Sequence, residues 1–142
     1  MATSRETARD ELATFLSTYL VTTGLIKTVV KNKLGIITAG IFPLCYIRNT
    51  GTNRARATLP NDYPVFYFDI VVYVPQYGWT DGEAVDALDS IEAKIAELVA
   101  TERHDTRLIG FSGRSTVTPV KLKDNKDYYR EVIPVFVQLY TI

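Results

Sequence analysis

This chain has almost none of the residues that build metal centres or redox sites. Cysteine occurs once, as Cys45, and histidine once, as His104. A single cysteine excludes an internal disulfide and fits a reducing compartment. One histidine and one cysteine fall short of the ligand sets that hold zinc. Net charge is missing too, because 16 basic and 16 acidic side chains cancel. A neutral chain is not a general binder of nucleic acid or membrane. It also lacks the charge that keeps copies apart. No apolar run reaches the ~18–20 residues of a membrane span. The polar opening MATSRETARDEL does not read as a secretory signal.

Catalytic motifs are equally scarce. There is no G-x-S-x-G elbow, P-loop or G-x-G-x-x-G. The glycines of GFSGRS precede no GK[ST]. A triad of Ser112, His104 and Asp105 has no support beyond proximity in sequence, and triads are recognised by geometry. His104 follows a helical pattern and suits the negative end of that helix. Cys45 sits in the apolar run FPLCYI and reads as a small core residue. No catalytic residue, cofactor site or metal site is assigned, and the chain reads as a non-enzyme.

What is present is a sheet without a polar face. Residues 63–74 read YPVFYFDIVVYV. Strand side chains alternate between faces. Phe66, Phe68, Ile70, Val72 and Val74 share one face. Val65, Tyr67, Asp69, Val71 and Tyr73 share the other. The closing stretch, 132–142, repeats this, with Ile133, Val135 and Val137 opposite Val132, Phe136 and Tyr140. A half-solvated antiparallel sheet alternates apolar and polar residues. Here both faces ask for cover, and the second face is expected to meet another subunit.

The other elements follow from periodicity and punctuation. Thr3 and Glu6 have capping-box spacing, and Ala8, Leu12, Phe15, Leu16 and Tyr19 form one helical stripe that Gly24 is placed to stop. Residues 25–30 and 41–47 are strand candidates, the second with Pro43 marking an edge or bulge. Residues 31–40 take no assignment. Residues 48–61, RNTGTNRARATLPN, read as a polar loop or hairpin tip. Thr80 and Glu83 form a second capping box, and Ala84, Leu88, Ile91, Ile95 and Leu98 form a helical seam. Its spacing also suits a short coiled coil, but packing on a sheet is the stronger reading. Residues 107–120 and 128–140 are two antiparallel strands joined by a turn at 123–127. The fold class is α+β, a largely antiparallel sheet with two main helices on one face. A chain of 142 residues with 46% hydrophobic content makes one core-forming domain, 1–142.

Charge is segregated along the chain. From residue 12 to residue 61 there is no acid, and Lys27, Lys31, Lys33, Arg48, Arg54 and Arg56 give six positive charges. From 81 to 103 there are seven acids against Lys94 and Arg103. Three readings stand. The surfaces are unrelated and solvated; the basic half follows nucleic acid; or basic and acidic surfaces meet between neighbours, where opposed charge sets orientation and heterologous contacts close a ring. On the last reading the interface candidates are Lys31, Lys33, Arg48, Arg54, Arg56, Asp69, Tyr67, Tyr73, Asp86 and Glu92. Asp69, the one acid of the long strand, then needs a basic or tyrosine partner.

The whole chain resembles the bacteriophage tail terminators, also called tail completion or minor tail proteins. The likeness runs through ETARDELATFLSTYL, FPLCYI, the turn-rich basic loop, YPVFYFDIVVYV, WTDGEAVDALDSIEAKIAELV and YYREVIPVFVQLYTI, with the pair Tyr129–Arg130 before the last strand. Residues 31–40 have no counterpart. The resemblance implies a ring, usually a hexamer, at the head-proximal end of the virion tail. The ring ends tube polymerisation, meets the tail tube protein on one side and the head connector on the other, and lets DNA pass without specific binding. Such proteins are not enzymes. Three alternatives remain: a neck or head-completion protein of the same assembly; a small-molecule-binding domain with a pocket of Tyr67, Tyr73 and Tyr140 anchored by Asp69; or a single-strand binder using Arg48, Arg54 and Arg56.

Overall fold

Ser4 opens the first helix. Its backbone is extended (φ −90, ψ 152) and its Oγ accepts from the Thr7 amide at 3.1 Å. The cap is therefore Ser4 rather than the expected Thr3, because Ser4 directly precedes Arg5 and its oxygen reaches the third helical N–H. The computed structural model describes residues 4–30, 43–54, 63–76, 81–102 and 107–140. Thr3, Thr80 and the expected second capping box lie outside these residues. Helix α1 spans Arg5–Leu16 and widens into a π-type turn, Ser17–Val21. Gly24 ends it, with φ +79 and its N–H on Val21 O at 3.1 Å. A positive φ is where glycine is least strained.

Strands β1 (Thr28–Val30), β2 (Leu44–Asn53) and β3 (Val65–Pro75) follow. Helix α2 is Asp81–Thr101, and β4 (Arg107–Phe111), β5 (Thr116–Lys121) and β6 (Asp127–Leu139) complete the described chain. They form one sheet in the order β1-β2-β3-β6-β4, with β5 also on β6. All pairings are antiparallel except β1 with β2. The fold is α+β, as expected.

Two strand assignments need correction. Arg48 to Asn53 is not a loop; it continues β2, and its register with β3 runs to Asn53↔Val65. A shift between Asn49 and Gly51 marks a bulge. Pairing with an aromatic-rich neighbour overrides the turn propensity of RNTGTN, and the bulge absorbs the extra residue. The expected strand 107–120 is also two strands. Pro134 explains the break. Its carbonyl accepts from the Ser112 amide at 3.0 Å, so its backbone faces the β4/β5 side. Proline has no N–H to return on that side. Four residues, 112–115, therefore arch past it before β5 resumes at Thr116↔Val132. Pro119 sits in β5, an edge strand, where a missing donor is tolerated.

The main core lies between the sheet and both helices. Ala8, Leu12 and Leu16 of α1, with Leu88, Ile91 and Ile95 of α2, pack on Phe66, Phe68, Ile70, Val135 and Val137. Side chains of this size gain about 1.5–3 kcal/mol each on full burial. Cys45 belongs to this core and is fully buried, and burial pushes its thiol up to about 12. It is a packing residue. At the open end of the layers Tyr19 donates to Glu102 at 3.1 Å, and Arg107 lies 3.5 Å from Glu11 with its guanidinium over the Phe15 ring. These contacts tie the ends of α1 and α2 to β4. No helix among the described residues is long and apolar enough to cross a membrane.

Candidate functional site

The sheet face turned away from the helices is divided. At one end Leu44, Val71, Tyr73 and Tyr128 form a second buried cluster with Val30, Val120 and Leu122 packed against it, and the remainder is mostly half-buried. Along β6 the burial pattern separates the two faces. Positions 131, 133, 135, 137 and 139 are buried, and the intervening ones are half-buried. On this second face β2, β3 and β6 carry neither Lys nor Glu. They carry tyrosines, valines, Phe136, two arginines and Asp69. Enrichment in aromatics and arginine with depletion of Lys and Glu is the composition of a protein-interface centre.

Asp69 and Arg48 are direct cross-strand partners at the middle of this face. Arg48 Nη2 lies 2.5 Å and Nε 3.2 Å from Asp69 Oδ2. The Asp69 side chain is 13% exposed and that of Arg48 46%. The half-buried acid thus has the basic partner its environment demands. Asp69's hydrogen bond is also the main cause that raises the Arg48 pKa.

Aromatic clusters flank the ion pair. Toward one end Tyr46 stacks on Tyr73 at 6.1 Å, and Tyr128 meets Tyr73 edge-on at 6.5 Å. Asp124 accepts from the Tyr128 hydroxyl at 2.5 Å. Arg130 hydrogen-bonds Tyr73, whose pKa is raised mainly by burial. The Arg130 Nε is buried without a partner. Toward the other end the Phe136 ring lies over Gly110, so closely that a Cβ there would meet it at 2.7 Å. Tyr63 and Tyr140 meet edge-on at 5.4 Å, and Gln138 Nε2 donates to Tyr63 O at 3.0 Å.

Of the interface candidates read from sequence, Arg48, Asp69, Tyr67 and Tyr73 share this face. Arg54 does not: its guanidinium stacks over Phe66, a core residue on the helix side, at 5.3 Å. Arg54 directly follows β2, which ends at Asn53, at the start of the connection toward β3. Asp86 is exposed on α2 and Glu92 is half-buried. Lys31, Lys33 and Arg56 lie outside the described residues, as do His104 and Asp105. The tyrosine pocket does not form. Tyr67 and Tyr73 are six positions apart on one strand, about 20 Å at ~3.3 Å per residue.

A cleft of about 380 Å³ does exist between the end of α2 and β4, lined by Val99, Glu102, Arg107, Gly110 and Tyr140 among others. Its charged groups are already engaged within the chain, Glu102 with Tyr19 and Arg107 with Glu11. Among the described residues no cluster of three His, Cys, Asp or Glu is placed to hold a metal.

Sequence reasoning missed Tyr46, Tyr128, Phe136 and Arg130 as members of one surface. Alternation predicts the face of each but not which strands lie side by side. It also missed Glu131, which is 5% exposed on the helix side. Burial raises its pKa, a Ser115 hydrogen bond opposes this, and Glu92 and Asp89 raise it further. An acid breaking the apolar run of the last strand was the available signal. No family model matches the chain, and no curated protein matches it either.

Proposed function

We propose that the chain is a structural subunit of a bacteriophage tail, a terminator that assembles as a ring on the tail tube, ends tube polymerisation and offers a surface to the head connector. The reading rests on the pattern resemblance along the chain. The observation that carries it is the half-buried part of the second sheet face around Tyr67, Asp69 and Phe136, which is aromatic, free of Lys and Glu, and lies beside the buried cluster of Leu44, Val71, Tyr73 and Tyr128. Such a face loses water when a second layer packs on it. An α+β domain with helices on one face obtains that layer from another molecule. The ring is a homo-oligomer, hexameric by the resemblance, and DNA passes through it without sequence-specific contact. The subunit performs no chemistry, needs no cofactor and belongs to the head-proximal end of the virion tail.

The nearest alternative within the same assembly is a neck or head-completion protein. Fractionating particles separates the two. A terminator co-purifies with finished tail tubes and is absent from tailless capsids, and a head-completion protein shows the reverse. Recovery with neither fraction contradicts both.

A further inference from the structure

We propose that the outer edge of β4, with the cleft beside it, is a docking site for an extended segment of another protein, which joins the sheet as an added strand. This is independent of the ring reading.

The direction of each β4 backbone group follows from the register. Antiparallel partners alternate between pairs that exchange hydrogen bonds and pairs that do not. The Pro134 carbonyl accepts from the Ser112 amide, so the even-numbered residues of β6 bond toward β4 and β5. Leu108 and Gly110 stand opposite Gln138 and Phe136 and therefore bond inward. Ile109 and Phe111 turn their N–H and C=O outward, and no strand pairs with that side among the described residues.

The other edges of the same sheet are guarded. Strand β1 has only three residues. In β5, Pro119 stands opposite Tyr129 and so faces outward, where it offers no N–H, and Lys121 ends the strand. Short strands, proline and lysine are the usual ways of keeping an edge from pairing. Strand β4 has no proline, lysine or bulge. Its one charge, Arg107, is turned back onto Glu11 and the Phe15 ring. Phe111, on the same side of the strand as Ile109, is 41% exposed.

The cleft of about 380 Å³ lies against this strand, between it and Val99 and Ala100 at the end of α2. Four consecutive β4 residues, 107–110, line it. Neighbouring strand residues point to opposite faces, so the cleft reaches around the edge. With Glu102 and Arg107 engaged inside the chain, the free polar groups here are main-chain ones. Their complement is another main chain in extended form. Strand addition takes affinity from such bonds and specificity from pockets for alternate side chains. The segment that fits is uncharged over its middle and apolar at alternate positions, one side chain entering between Val99, Ala100 and Ile109 and the next on that side covering Phe111. A second copy's β4, paired here by two-fold symmetry, would bring its own α2 into the same layer. A lone segment meets no such obstacle.

A displayed library of random dodecapeptides, screened against the full chain, tests this. Enriched peptides should alternate apolar residues, and the strongest should slow amide exchange at Ile109 and Phe111 roughly tenfold or more while leaving Val117 and Lys121 unchanged. Ala100→Trp, at an exposed position on the cleft wall, should weaken that peptide's binding roughly tenfold with an unchanged melting curve. Phe111→Pro removes one outward N–H, as Pro119 does in β5, and should weaken it as much. No enriched peptide, or a peptide indifferent to both substitutions, overturns the site. Protection of Ile109 and Phe111 that grows with protein concentration in the absence of peptide overturns it in favour of edge pairing between copies.

Discussion

Glu131 is the most telling single residue. Its carboxyl is held in a nearly water-free site on the helix side, beside the acids of α2. The folded-state pKa is raised above the ordinary 4.5, chiefly by burial. Protonation therefore favours the fold. The stability it contributes is complete below that ordinary value and is lost as pH rises through the folded pKa. Glu131→Gln should melt higher than the parent at neutral pH, with the difference closing below pH 4.5. Parallel melting curves at both pH values contradict this. The same site warns against Glu92 as a neutral probe of assembly. A lysine there sits near Glu131 and alters stability directly, and Asp89 acts on Glu131 in the same way, so Asp86 is the cleaner reversal. Asp69→Asn weakens a pair whose arginine is 46% exposed, so it should cost only about 0–1 kcal/mol in the monomer. A larger loss of assembly than of monomer stability is the expected signature of an interface position. Gly110→Ala forces the Phe136 ring to move and should cost about 1–3 kcal/mol. Adding Phe136→Ala should cancel most of that increment in a double-mutant cycle.

At the scale of elements, the edge of the sheet is the weak part. Nearly every β5 residue is exposed, Val117 to 53%. The strand is pinned only to β6 and interrupted beside Pro134. Its amides should exchange well before those of β2, β3 and β6, which lie inside the sheet. Uniform protection across the sheet contradicts that account. Helix α1 depends on its cap, and Ser4→Ala should cost roughly 1 kcal/mol. Helices and central strands were legible in the sequence because their burial is periodic: the α1 stripe, the α2 seam and the two faces of β3 all read correctly. Local composition made Arg48 to Asn53 a loop, but register with β3 made it strand. The break in 107–120 falls within GFSGRS, where glycine and serine were a local turn signal that the strand reading overrode, and Pro134 faces it across the ladder. The apolar pattern of the second face was legible, but its burial at the Leu44–Val71–Tyr73–Tyr128 end and its middle, Arg48 on Asp69, depended on which strands became neighbours.

At the scale of the molecule, the helices cover one sheet face, and the other carries a buried cluster at one end and the half-buried Arg48–Asp69 pair among aromatics at its middle. Exposed ion pairs contribute only about 0–1 kcal/mol each, and charges a Debye length apart, ~8 Å at physiological salt, are well screened. Apolar contact must then supply most of the affinity, with charge setting direction. Raising salt should weaken the assembly several-fold without abolishing it. Complete indifference to salt argues that the acids of α2 face water. The most direct test of the central claim is the mass of the protein in solution across a wide concentration range, with the same samples imaged by electron microscopy. The account predicts closed rings of one size, growing in at high concentration or on tube ends. A protein that stays strictly monomeric at its highest soluble concentration, and leaves tube ends bare, contradicts it.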